Sequence, residues 1–196
     1  DNFRLPEKVS KVVDIIRKRG KFQVKNFASK RELLSWAPKI GVAYNNTFVN
    51  NWEYYPLTQK EIDFAVNGVL SVALPHLIKI ITYEDKVVGF LFGFPDITPA
   101  MQRGKGRLTP WSIADMMISL RRTNWVSLNG VGVLPEYHGR GGNVLLYDEI
   151  RRTITDAGFE HAELTQMAET ATQIRKDIIT VGAVPYKNHR VFHKKI

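Results

Sequence analysis

A mixed α/β sandwich, one central sheet carrying helices on both faces, is the architecture this sequence predicts. Three observations lead there. Strand-like and helix-like patterns alternate along the whole 196-residue chain. Apolar runs of strand length at 77–82, 87–94 and 125–134 are bounded by turn residues. A glycine-rich turn, with Gly139, Gly141 and Gly142, then joins the last of these runs to a helical pattern.

Each element has its own signal. Pro6 opens a helical pattern in which Val9, Val12, Val13 and Ile16 form an apolar stripe opposite lysines and arginines. This basic amphipathic helix over 1–20 either packs on the body of the protein or links it to a preceding half; membrane contact is the weaker reading. The chain starts at Asp1 without a methionine. After Gly20, the near-alternation of Phe22, Val24 and Phe27 predicts a first strand. Ser29 caps a helix running to Tyr44, which Pro38 should kink or divide. Residues 45–52 are so rich in asparagine that a loop is expected. Thr58 and Glu61 form a capping-box pattern for the next helix, and Glu84-Asp85 should turn the hairpin between 77–82 and 87–94.

Residues 95–124, punctuated by Pro95, Pro99 and Pro110, form the least regular stretch. They are read as an insertion or lid over or beside a ligand channel, with a helical piece around Trp111, Ile113, Met116, Met117 and Leu120. Beyond it come a buried strand at 125–134, a helix at 144–157, a short strand at 161–165, a helix at 170–181 and a closing strand at 186–194. Gly158 and Gly182 stand where helices should stop.

Composition narrows the function. With 44% apolar residues the chain can bury one sizeable core. No apolar run reaches the roughly 18 to 20 residues of a membrane span. The absence of cysteine excludes disulfides, thiolate metal sites and a cysteine nucleophile, and fits a cytoplasmic location. His76, His161, His189 and His193 lack metal-ligand spacing and are read as structural or surface residues. A formal charge of +9 calls for an anionic partner: nucleotide phosphate, nucleic acid or a membrane surface. Nucleic acid is disfavoured, since aromatic and basic residues do not interleave in any recognisable module.

The strand ending at Val131-Gly132-Val133-Leu134-Pro135, the turn from Glu136 to Asn143 and the helix opened by Val144 carry the chemistry. A glycine-rich turn at a helix start aims unpaired backbone amides and the positive end of the helix dipole at one spot, where phosphate binds. Arg140 and His138 add charge or donors. Dinucleotide and nucleoside-triphosphate sites use the same device.

The segment resembles the acyl-coenzyme A motif of the GNAT acyltransferase superfamily, in which a Val-x-Pro strand end precedes Arg or Gln, two residues, Gly, one residue, and Gly or Ala. His138 stands at the Arg/Gln position, Gly141 at the first glycine and Asn143 where Gly or Ala is usual. The resemblance extends over the element order from Phe22 to Ile196. It implies the GNAT fold over 21–196, with a mixed, mostly antiparallel sheet, and acetyl-CoA or another acyl-CoA as co-substrate. It also implies roles residue by residue. Val131, Gly132 and Val133 would bind the pantetheine arm like an added strand. His138, Gly139, Arg140, Gly141, Gly142, Asn143 and Val144 would hold the pyrophosphate, and Gly141→Glu would abolish binding. Amides near 132–134 would stabilise the oxyanion. The tyrosine that many members carry in the last helix falls at Ile178 here, and a frequent asparagine falls at Ala171. Glu163 and Tyr186 are the remaining candidates for acid–base work, each against a plain packing or surface role.

Short matches at Leu5-Pro6-Glu7-Lys8, Asn50-Asn51-Trp52, Leu134-Pro135-Glu136-Tyr137 and Gly182-Ala183 resemble the C-terminal half of two-half bacterial GNAT-type proteins, some linked to lipid or ceramide acylation. A preceding GNAT-like half and a small-molecule or lipid-like acceptor are therefore expected partners. Asn50, Asn51 and Trp52, with Asn45 and Asn46, would border the acceptor pocket or merely shape the turn. Two functions stay open: an acyltransferase acting on an amine or hydroxyl, or a non-catalytic domain that binds acyl-CoA or a partner.

Overall fold

The computed structural model describes residues 3–49, 54–165, 167–169, 171–190, 192 and 194. Five strands form one sheet in the order β1-β2-β3-β4-β5, where β1 is Phe22–Lys25, β2 Ile78–Tyr83, β3 Lys86–Pro95, β4 Trp125–Val133 and β5 His161–Leu164. Neighbours are antiparallel except β4 and β5, which are parallel. Glu84 and Asp85 take left-handed φ values of 48° and 64°, as a two-residue hairpin turn matched to strand twist requires.

Helices cover both faces. On one side α1 (Glu7–Arg19), α6 (Gly142–Asp156) and α7 (Thr172–Thr180) enclose a core of Val13, Ile16, Ile81, Val88, Leu91, Val126, Leu146 and Ile178. On the other, α2 (Lys30–Phe48) lays Leu33, Ala43, Tyr44 and Phe48 over Ile78, Ile80 and Phe90, with α3 (Gln59–Val72) packed on α2. Alternation along β2 and β3 feeds both cores, which is why these strands read as nearly continuous apolar runs.

Pro38 lies inside α2 without dividing it, and the expected loop at 45–52 begins later than predicted, because Asn45 to Phe48 remain helical. The asparagine amide has found partners that do not compete with the helix. Asn45 Oδ1 accepts from the Tyr54 hydroxyl at 2.6 Å and the Leu57 amide at 2.9 Å, while its Nδ2 donates to the Leu57 carbonyl at 2.8 Å. Tyr44 and Phe48, one turn apart, pack on each other and on Phe90.

The helix α1 is clasped to α6 by charge as well as by its apolar stripe. The side chain of Asp148, on α6, is 3% exposed and accepts from Arg17 of α1 and from Arg151 and Arg152, each at 2.9 Å. Arg17 also reaches Glu149 at 2.9 Å. Burial alone would raise the Asp148 pKa; the hydrogen bonds and charges of Arg151, Arg152 and Arg17 outweigh it and hold the carboxyl below its ordinary value.

Two expectations change. Residues 95–124 fold into two helices, α4 (Thr98–Arg103) and α5 (Pro110–Arg122), packed on each other at the Pro95–Trp125 end of the β3–β4 pair. The closing strand at 186–194 does not form among the described residues. Tyr186 and Phe192 are 60% and 87% exposed, so these described side chains have no core to face.

Candidate functional site

Strands β4 and β5 part company midway. Pairing between them covers Trp125 to Leu128 and ends where the Thr165 amide donates to the Leu128 carbonyl at 3.2 Å. The cause lies in β4. Leu91 of β3 faces Val131 and Gly93 faces Leu128, so β4 carries one residue more than β3 in this interval. Gly130, at φ 90°, takes up the bulge, and any Cβ there would meet the Phe92 ring at 3.2 Å. A bulge bends the strand and terminates pairing. Sequence reasoning passed over Asn129-Gly130, although a glycine inside a strand pattern is the usual mark of such a break.

Past the bulge, one edge of β4 is open. The Leu134 amide donates to the Val88 carbonyl at 2.8 Å. By antiparallel alternation Gly132 also turns its polar groups to β3, and those of Val131 and Val133 face the open edge. His138 uses its Nε2 at 2.7 Å on the Val133 carbonyl and so braces the strand end. Of the backbone amides expected to stabilise an oxyanion, those of Gly132 and Leu134 are therefore committed to β3, and that of Val133 remains. Thr47 of α2 closes against the strand: a Cβ on Gly132 would lie 2.4 Å from its methyl group.

The turn after β4 has the character of an anion cradle. Gly139 and Gly141 sit at φ 70° and 88°, and Gly141 is the N-cap of α6 with no side-chain cap. Among the described residues, the amides of Gly139, Gly141, Gly142 and Asn143 have no protein acceptor. Together with the helix dipole they favour a negatively charged group at this end of α6. Arg140 lies over the Tyr137 ring at 5.3 Å. Asn143 donates from Nδ2 to Asp177 at 2.6 Å, tying the start of α6 to α7, and Val144 packs on the core. A Cβ on Gly141 would lie 2.1 Å from Ile16 Cδ1, so Gly141→Glu would disturb α1 as well as any anion. Gly139 has open space around it and makes the cleaner probe.

Glu163 and Tyr186 come together. The Tyr186 hydroxyl donates to Glu163 Oε1, and Lys187 Nζ reaches the same oxygen at 3.1 Å. The hydrogen bond from Tyr186 is the main cause, with Lys187 behind it, of a Glu163 pKa below the ordinary value. Glu163 is thus a firmly ionised carboxylate, suited to anchoring Tyr186 and Lys187. Ile178 is buried at 4% exposure in the core and carries no hydroxyl. Thr165 carries no sequence signal of its own. Its Oγ1 is buried without a hydrogen-bond partner among the described residues, at the point where β4 and β5 separate.

On the α2 side of the sheet, Tyr44, Phe48, Tyr54, Phe90 and Phe92 form a continuous aromatic cluster with ring centroids 4.8 to 6.3 Å apart. Asn50, Asn51 and Trp52, expected at the acceptor pocket, lie outside the described residues. Asn45 is a strut between α2 and Leu57. Trp111 is 84% exposed, and α5 stands at the opposite end of β4 from the glycine turn. His161 stacks on Trp125 at 4.4 Å, and no group of His, Asp or Glu among the described residues could hold a metal ion.

No protein-family model matches the chain. In sequence it is similar to Protein YghO of Escherichia coli K12, with 28% identity over 201 aligned positions covering 96% of this chain and 49% of that protein. The chain therefore spans about half the length of the curated relative it matches. In structure it resembles the aminoglycoside N-acetyltransferase AAC(6')-Iy solved in complex with CoA (TM-score 0.56, 14% identity, 89% of this chain and 94% of that one). It also resembles the aminoglycoside acetyltransferase meta-AAC0020 from an uncultured soil metagenomic sample, in complex with trehalose (0.55, 10%, 90% and 97%). A third likeness is to a putative acetyltransferase from Agrobacterium tumefaciens C58 (0.54, 16%, 88% and 99%). The fold is that of the GNAT acetyltransferases.

Proposed function

We propose that the chain is an acyltransferase that moves an acyl group from acetyl-CoA or another acyl-CoA to an amine or hydroxyl on a small-molecule acceptor. The observation that carries this reading is the set of acceptor-less amides of Gly139, Gly141, Gly142 and Asn143 at the start of α6, directly after the open edge of β4. The residues fit the ligand. The turn amides would hold the pyrophosphate and the open edge of β4 at Val131 would hydrogen-bond the pantetheine arm. Structural neighbours solved with CoA support the same reading. When bound, the thioester supplies a carbonyl open to direct attack.

The chain's own groups then have defined work. The Val133 amide faces the opened edge and is free to donate to negative charge developing on the carbonyl oxygen. Thr165 Oγ1, unpartnered at the parting of the strands, takes the role of donor to the departing sulfur. Glu163 keeps Tyr186 and Lys187 in position at the same strand. Thr165→Val should leave the melting temperature unchanged or slightly raised, since it removes an unsatisfied buried hydroxyl. It should lower kcat about 100-fold while leaving KM for acyl-CoA unaltered. Unchanged kcat would remove the hydroxyl from the reaction.

A non-catalytic acyl-CoA-binding domain is the second reading, favoured by the burial of Ile178 where many acyltransferases carry a tyrosine. Turnover separates the two. The chain contains no cysteine, so a thiol reagent detects released coenzyme A without background from the protein. Release that depends on an added amine or hydroxyl compound supports transfer. A thermal shift with acyl-CoA but no release with any acceptor supports the binding domain. No thermal shift would sink both.

A further inference from the structure

The helix pair α4–α5 is built inside out. The polar side of α5 faces α4: Ser112 is buried and donates to the Arg107 carbonyl at 2.6 Å, Asp115 takes two bonds from Arg103 at 2.8 Å, and Ser119 accepts from Arg103 at 3.2 Å. The apolar side is left in water. Trp111 is 84% exposed, Ile113 47%, Met117 50% and Ile118 51%, and Leu108, just before the helix, is 78% exposed. Ile113 and Met117, four residues apart, and Trp111 and Ile118, seven apart, form two rows that together span roughly 160° of α5 on the side away from Ser112, Asp115 and Ser119. A helix at an ordinary protein surface shows the reverse arrangement.

Charge frames the same face. Lys105 and Arg107 precede α5 and Arg121 and Arg122 end it; the last two line a shallow depression with Met117 and Ile118. Asp115, the one carboxylate in residues 98–124, is taken by Arg103. Among the described residues, Lys105, Arg107, Arg121 and Arg122 form no ion pair. We propose that this face of α5 docks in the plane of a lipid bilayer bearing anionic headgroups, with Trp111, Ile113, Met117 and Ile118 below the phosphates and the four cations among them. A second copy of the chain is a poor occupant, because it would bring the same cations against these with no carboxylate to meet them. The α1 stripe is not available for this purpose, since Val9, Val13 and Ile16 are buried. No described helix is long and apolar enough to cross a membrane, so the contact is peripheral. The inference stands apart from acyl transfer.

Cosedimentation of the 196-residue chain with vesicles tests it. Binding is expected on vesicles with about a third phosphatidylglycerol, with a partition coefficient at least about ten-fold higher than on phosphatidylcholine alone and falling as salt is raised. Trp111→Ser with Ile118→Ser, and separately Arg121→Gln with Arg122→Gln, should each lower partitioning about ten-fold. All four side chains are surface-exposed, so the melting temperature should hold. Three results overturn the proposal: no binding to anionic vesicles, binding that survives both pairs of substitutions, or a dimer in solution that Trp111→Ser with Ile118→Ser dissolves.

Discussion

Gly139→Glu is expected to erase the rise in melting temperature that acyl-CoA gives the parent chain. The substitution has room, because nothing lies within 4 Å of a Cβ at this position. Its intrinsic cost is the left-handed φ of 70°, about 1–2 kcal/mol for a side-chain-bearing residue. The effect on binding is larger. A carboxylate beside the acceptor-less amides competes for them and repels pyrophosphate, and an affinity loss of about 100-fold is a modest expectation for two like charges at close range. At a ligand concentration about 100 times the parent Kd, binding stabilises by about 2.7 kcal/mol, a shift of about 5–10 °C for a domain of this size. The variant at the same concentration should keep about 0.4 kcal/mol, a shift of about 1 °C. Differential scanning fluorimetry with and without ligand reads this directly, each protein against its own baseline. A full shift in the variant would mean that the anion binds elsewhere.

The second large effect concerns stability. Asp148→Ala removes the carboxylate that three arginines share and leaves their charges facing one another at the α1–α6 contact. Breaking a fully buried pair costs about 3–5 kcal/mol. Arg17 and Arg152 are 41% and 52% exposed and can turn to water, so about 2–3 kcal/mol is expected here. That corresponds to a fall of roughly 5–10 °C in melting temperature. The pH dependence has a definite sign. Because the folded-state pKa of Asp148 is depressed, its contribution is complete above the unfolded value near 4 and is lost as pH falls through the lower folded value. Asp148→Asn should flatten the decline of stability below pH of about 4, measured by urea denaturation across that range. An unchanged slope would mean that the cluster does not couple to folding.

The fold is legible in the sequence because its signals are local. The strip of Val9, Val13 and Ile16, the Ser29 cap and the two-residue turn at Glu84 and Asp85 each fix an element without knowledge of its neighbours. The glycine turn is legible for the same reason: glycines before a helix dictate where amides point. What stays hidden depends on pairs far apart in the chain. Asn45 reads as a helix stop because its partners, Tyr54 and Leu57, exist only once the following loop folds back. Asp148 lies in an ordinary helical run, and nothing there announces Arg17. Thr165 has no motif at all; its hydroxyl stands out only once β4 has bulged at Gly130 and the pairing with β5 has ended beside it. The closing strand expected at 186–194 rests on apolar residues whose exposure shows that period alone does not supply a partner edge.

The α1–α6 clasp also sets an order of events during synthesis. Arg17 and Asp148 are 131 residues apart, so α1 cannot dock until the stretch between them has been made. At about 5–20 residues per second, the helix waits on the order of ten seconds with Val9, Val13 and Ile16 uncovered. The β2–β3 hairpin, whose strands are joined by two residues, needs no such delay and can form as soon as it clears the ribosome. Docking of α1 therefore waits on α6, made long after it, and β5 and α7 join the same core later still. A nascent chain arrested before α6 emerges should remain sensitive to protease at α1, and one arrested after α6 has emerged should not.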